Sequence, residues 1–118
     1  MIRVVARDAV RSGGGVSATV RVDPAEPVFA GHYPGFPLLP GLALLDVVQA
    51  VVRTCPGREA ARLSGVDRVR FFHEVRPGDE LAVEVEFGAD GGCSVAITGE
   101  RGRVAQLRCA LAMPEVVA

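Results

Sequence analysis

The sequence predicts an α+β domain in which an antiparallel sheet wraps around one buried helix. Three observations carry that expectation. One segment, from about Leu42 to Thr54, is apolar on nearly every face, as a helix enclosed by protein must be. Several other stretches alternate apolar with polar or small residues, the period of two that marks a half-buried strand. Short glycine-rich turns separate those stretches at hairpin spacing.

Taken in order, residues 2–7 and 16–22 are expected as two short strands joined by Ser12-Gly13-Gly14-Gly15. In 16-VSATVRV-22 the apolar positions are Val16, Ala18, Val20 and Val22. Residues 23–41 form a proline- and glycine-rich loop, stiff because proline fixes its own φ and restricts the residue before it. The helix follows, with Asp46, Gln49 and Arg53 as its polar residues. Pro40 suits its first turn, where a missing N–H costs little, and Cys55-Pro56-Gly57 stops it. Further strands are expected near 66–75, 80–87, 93–99 and 103–113. Leu81, Val83, Val85 and Phe87 alternate cleanly, as do Ala105, Leu107, Cys109, Leu111 and Met113. The turns are 89-ADGG-92 and a hairpin through Gly99–Gly102.

The 118 residues are read as a single domain, 1–118. At 49% hydrophobic residues the chain is not of the disordered class. A formal net charge of -1 gives no reason to expect nucleic acid or an anionic membrane as the main partner. No apolar run reaches the roughly 20 residues that a membrane span takes. Charges at Arg3, Arg7 and Asp8 deprive the N-terminus of the apolar core of a signal peptide. Cys55, Cys93 and Cys109 are widely spaced, without a CxxC or Cys/His cluster, so no metal site is expected. Reduced thiols and a cytoplasmic location are the expectation.

Three residues draw attention as chemistry. His32 sits in the rigid loop between Gly31 and Tyr33-Pro34, and an imidazole titrates near neutrality, as a general base requires. The alternative is a histidine that bonds its own loop. Asp46 interrupts the most hydrophobic segment, where a carboxylate without a partner is costly. It is either half of a structural salt bridge, for example with an arginine from the sheet, or an acid poised to donate a proton. Gly41 lies at the helix start, where N–H groups are unpaired and the dipole is positive, a place to hold a carbonyl oxygen that gains charge. The alternative is a glycine that merely lets the chain turn. A base, an acid and an oxyanion donor together suit removal of a proton beside a thioester carbonyl and loss of a hydroxyl from the next carbon.

The stretch His32-Tyr33-Pro34-Gly35-Phe36-Pro37-Leu38-Leu39-Pro40-Gly41, followed by Asp46 fourteen residues after the histidine, closely resembles the signature of the hot-dog (3R)-hydroxyacyl-acyl carrier protein dehydratases of type II fatty acid synthesis. The preceding 26-EPVFAGH-32 fits, and 69-VRFFHEVRPGDEL-81 resembles the strand and PGD turn that follow the helix in that family. The resemblance covers roughly residues 16–113. It implies the hot-dog fold, a sheet around a central helix, and a homodimer or trimer of dimers whose sites take the histidine from one subunit and the acid from the other. It implies that His32 removes the α proton, that Asp46 of a second copy protonates or positions the leaving hydroxyl, and that the Gly41 N–H holds the thioester oxygen. Leu42, Leu45 and Phe71 are the implied lining of an apolar tunnel. The substrate would ride on the phosphopantetheine arm of an acyl carrier protein, with no metal or redox cofactor. Fatty acid, polyketide or other secondary-metabolite synthesis is the implied setting.

The chain departs from that pattern in four places. The acid is aspartate, as at the matching place in the dehydratase/isomerase branch, whereas the shorter dehydratases usually carry glutamate; the missing methylene shortens its reach by about 1.5 Å, on a scale where about 1 Å of misplacement can cost ~100-fold. Gln49 follows the acid by three residues rather than four, about 100° away around a helix. The family's leading helix and its covering segment are not present in this sequence. His73 matches no catalytic position and is expected at a surface or interface. Two rival readings share the fold: a hot-dog thioesterase, and a non-catalytic protein that binds acyl carrier protein or a partner subunit. A hydratase acting on CoA thioesters is a milder variant, since dehydration is reversible.

Overall fold

The computed structural model describes residues 4–25 and 41–113. They form one six-stranded antiparallel sheet and one helix. The strands are β1 (Ala6–Ser12), β2 (Gly15–Arg21), β3 (Arg62–Phe71), β4 (Glu80–Phe87), β5 (Gly92–Gly99) and β6 (Gly102–Ala112). The helix α1 spans Leu44–Val52, entered through a 3-10 turn at Gly41–Ala43. The sheet order is β1-β2-β4-β5-β6-β3. Thus α1 and β3 lie in sequence between the neighbours β2 and β4, and the chain crosses the sheet to lay β3 against β6. The helix packs against β1, β2, β3 and β4, in the arrangement of a sheet wrapped around a helix.

The strand residues sort as alternation requires. On β4, Leu81, Val83 and Val85 are buried while Glu80, Ala82, Glu84 and Glu86 face out. They meet Val16, Ala18 and Val20 of β2 on one side and Cys93, Val95 and Ile97 of β5 on the other. On β6 the inner row is Ala105, Leu107 and Cys109, but Val104 is buried too. A register shift between Ile97 and Thr98 turns two consecutive residues inward there. Leu111 is only half-buried and Met113 is exposed, so the expected row fades toward its end.

Helix α1 is short and rich in valine. Four of its residues, Val47, Val48, Val51 and Val52, are β-branched and intrinsically modest helix formers. A nine-residue helix of this kind is unstable alone. It forms because those valines and Leu44 are buried, each stabilising by about 1.5–3 kcal/mol on full burial. The helix ends where Arg53 N–H bonds the Gln49 carbonyl, and Thr54 Oγ1 donates to the Val51 carbonyl at 2.7 Å. Gly57, at φ +83°, then turns the chain away in a conformation that suits glycine.

Three boundaries differ from the sequence reading. β1 runs from Ala6 to Ser12 rather than over 2–7, and part of the expected span lies outside the described residues. A bulge between Arg7 and Val10, with Asp8 at φ +53°, breaks the alternation that would have marked it. The helix proper begins at Leu44, not Leu42, because its entry is wound as a 3-10 turn. β3 begins at Arg62 and ends at Phe71, four residues earlier at each end than the expected 66–75. It is an edge strand, exposed along most of its length, so no buried face imposed a period on its sequence.

Candidate active site

Gly41 and Phe71 meet at the entrance to the helix. A Cβ built on Gly41 would lie 2.8 Å from Cζ and 3.0 Å from Cε1 of the Phe71 ring. A side chain at position 41 would therefore have to push the Phe71 ring aside. Phe71 is the last residue of β3 and pairs with Ala105 of β6, which fixes where its ring falls. The N–H groups of this first turn have no helical acceptor and sit at the positive end of the helix dipole.

Beside this contact is an open cleft of about 400 Å³. Gly41 of the 3-10 turn and Leu44 of the helix line it on one side, and Phe71 at the end of β3 with Phe72, His73 and Val75 after it on the other. The rings of Phe71 and Phe72 remain 52% and 38% exposed, so the cleft offers apolar surface to a ligand. Glu74 stands on its rim, with backbone hydrogen bonding and then Arg76 holding its carboxyl below the ordinary range. His73 is exposed, as expected, and its Nδ1–H donates to the Arg103 carbonyl at 2.7 Å.

Asp46 lies in the first turn of α1 and is half-buried. The fully buried face of the helix is Leu44, Val47, Val48, Val51 and Val52; Asp46, Leu45, Gln49 and Ala50 share the half-buried remainder. The expectation of an acid in the protein core is thus corrected for the protomer. At about 100° per residue, position 46 is turned off the core face that 44, 47, 48 and 51 define. Gln49 anchors a neighbouring strand. Its Oε1 accepts from Leu63 N–H at 3.1 Å, while Arg53 Nε donates to the Ala61 carbonyl at 2.8 Å. The two polar side chains moor the start of β3 to the helix. Among the described residues, Asp79 is a buried acid with an arginine partner. It is 8% exposed, bonds Arg101 Nη2 at 2.6 Å and accepts from Arg76 N–H at 2.9 Å. This pair ties the Pro77-Gly78-Asp79 turn to the β5–β6 turn. A proline-glycine-aspartate turn is recognisable in sequence, but its arginine, 22 residues away, is not.

Of the residues singled out in the sequence, the structure brings Gly41 and Phe71 together. Asp46 and Leu45 stand on α1 outside the lining of that cleft. His32 and the side chain of Leu42 lie outside the described residues. Leu44, Phe72 and Val75 joined the site only in three dimensions. The one sequence signal for them is their adjacency to Gly41 and Phe71.

The chain is similar to known proteins in both sequence and shape. The ApeI-like family, described as ApeI dehydratase, matches residues 9–108. A 3-hydroxyacyl-[acyl-carrier-protein] dehydratase, FabZ, of Pelotomaculum thermopropionicum is 34% identical over 84 residues, covering 66% of this chain and 60% of the relative. The FabZ of Thermomicrobium roseum is 32% identical over 102 residues, covering 76% of this chain and 68% of the relative. Among solved structures, the dehydratase heterocomplex ApeI:P from Xenorhabdus doucetiae superposes with a TM-score of 0.77 at 22% identity, covering 92% of this chain and 97% of that one. That likeness shows the hot-dog fold. The chain spans about three fifths of the length of the first curated relatives it matches.

Proposed function

We propose, on the premise that the chain belongs to the ApeI-like dehydratase family, that it dehydrates a (3R)-hydroxyacyl thioester carried by acyl carrier protein to the trans-2-enoyl thioester. The observation that carries this reading is the family match across residues 9–108, which spans the motif from His32 to Asp46 as well as the Gly41–Phe71 contact. In the proposed reaction His32 takes the proton from C2, the carbon next to the thioester carbonyl. The electron pair moves to the C2–C3 bond as the C3–O bond breaks. Asp46 gives its proton to the departing hydroxyl, which leaves as water. The Gly41 N–H, at the start of the helical turn, holds the carbonyl oxygen while it carries the developing charge. Phe71, Leu44 and Phe72 offer the acyl chain an apolar wall. The elimination is redox-neutral, so these residues account for it without a redox partner.

The acid and the base are proposed to come from two copies. Support comes from two surfaces of the protomer. The helix stripe of Leu45, Asp46 and Ala50 is only half-covered. β3 is an edge strand carrying Val66 and Val69, 40% and 42% exposed, and ends in the exposed Phe71. An edge strand with apolar side chains is a template for another strand. Pairing of two copies along β3 would cover both surfaces and dry Asp46. The similar structure from Xenorhabdus doucetiae is of a heterocomplex, and a different subunit on this face is the second reading proposed. Activity of the purified chain alone decides between them.

The test is a short (3R)-hydroxyacyl thioester on carrier protein, followed for three products. A dehydratase forms the enoyl thioester and leaves the thiol bound. Release of free thiol would instead mark a thioesterase, and an unchanged substrate a binding protein. The CoA thioester run in parallel reports the carrier preference.

A further inference from the structure

Cys93 and Cys109 face one another across β5 and β6 as direct partners in the antiparallel register. Opposed residues in such a ladder have Cα atoms about 4.5 or 5.5 Å apart, according to the kind of pair. Both separations fall inside the roughly 4.4–6.8 Å window that a disulfide spans. Both side chains lie on the inner face, 3% and 1% exposed. The hydrogen bond between the thiols, then burial, pushes Cys93 up, and the same bond holds Cys109 below its ordinary value. Cys109 thus gives up its proton more readily than Cys93, and the thiolate is the form that reacts. Cys93 also lines an open cleft of about 210 Å³ with Phe87, Ser94 and Arg108. The proposed dehydration uses neither cysteine. Cys55, buried past the end of α1, lies on no strand and has no cross-strand partner.

We infer that Cys93 and Cys109 are a redox modification site, converted by a small hydroperoxide to a disulfide that staples β5 to β6. The thiolate of the pair attacks a peroxide oxygen, the O–O bond breaks, and the departing oxygen takes up a proton to leave as water or alcohol. The sulfenic acid formed is then attacked by the second sulfur. Its S–O bond breaks, the hydroxyl leaves with the second thiol's proton as water, and the S–S bond closes. Two thiols lose two electrons and two protons, and the peroxide is reduced. A dithiol reductant reverses the bridge by exchange.

The experiment treats the folded chain with hydrogen peroxide, unfolds it in the presence of an alkylating reagent, and measures the intact mass. The expected product carries one alkyl group in place of three, and dithiothreitol before alkylation restores all three. Cys55→Ala should then carry none after oxidation, while Cys93→Ala and Cys109→Ala form no intramolecular bridge. Should either of these variants fail to fold, a peptide map of the oxidised Cys55→Ala protein decides, by the presence or absence of the Cys93–Cys109 cross-link. Three alkyl groups retained after peroxide, a bridge that includes Cys55, or sulfinic acid at a single cysteine would overturn the inference.

Discussion

At Gly41 a side chain is excluded by a neighbour's ring. Gly41→Ala drives a methyl into Phe71, an overpacking that should cost about 1–3 kcal/mol. Combining it with Phe71→Ala should recover part of that loss, since contacting residues couple, and thermal melts of the four proteins measure the coupling. The same contact places the ring at the wall of the candidate site, so Phe71→Ala should alter the preferred acyl chain length. Asp79 gives a second prediction at this scale. Asp79→Ala removes the acceptor of Arg101 and of the Arg76 N–H, and urea titration should register a loss of about 1–3 kcal/mol. The special residues were unevenly legible. Gly41 stood out because it opens a helix after a proline-rich loop, yet the ring that excludes a side chain there comes from 30 residues further on. Asp46 stood out by its apolar neighbours, but one dimension could not tell the core face of the helix from its half-covered flank.

The elements show why some of the fold was readable. β4, expected at 80–87 and found at Glu80–Phe87, is a central strand with one buried face, so its side chains had to alternate. β3 and β1 are the sheet's edges. One is an exposed, arginine-rich strand and the other carries a bulge, and neither kept a clean period. Helix α1 was legible as apolar, but its stability comes from burial and its mooring from two polar residues. Gln49→Leu removes the acceptor of the Leu63 N–H. Amide exchange at the start of β3 should then speed up markedly while β4 and β5 stay protected. The turn before β5 carries a pH signature. The Gly92 N–H bonded to Asp90 is the main reason that this carboxyl lies below its ordinary value. A depressed carboxyl contributes stability that is present above the ordinary carboxylate range and is lost as pH falls through its folded value. The protection of the Gly92 amide, corrected for the intrinsic exchange rate, should therefore fall on acidification below that range, and Asp90→Asn should remove the dependence.

For the whole molecule, the proposal places each site between two copies. A charge on the β3 edge, as in Val69→Asp, should break the pairing and abolish activity together, with sedimentation as the readout. Two inactive variants, His32→Ala and Asp46→Asn, should complement when mixed and allowed to exchange subunits. A dimer with one intact composite site in each mixed pair recovers about a quarter of the wild-type rate. Sites built within one chain would recover nothing. The proposed chemistry is read most directly from the mass of a short (3R)-hydroxyacyl-carrier protein after incubation with the wild type and these two variants. The wild type should remove one water, and each variant should do so about 100-fold or more slowly. A substrate mass unchanged at every chain length, with the protein folded and paired, would contradict that chemistry.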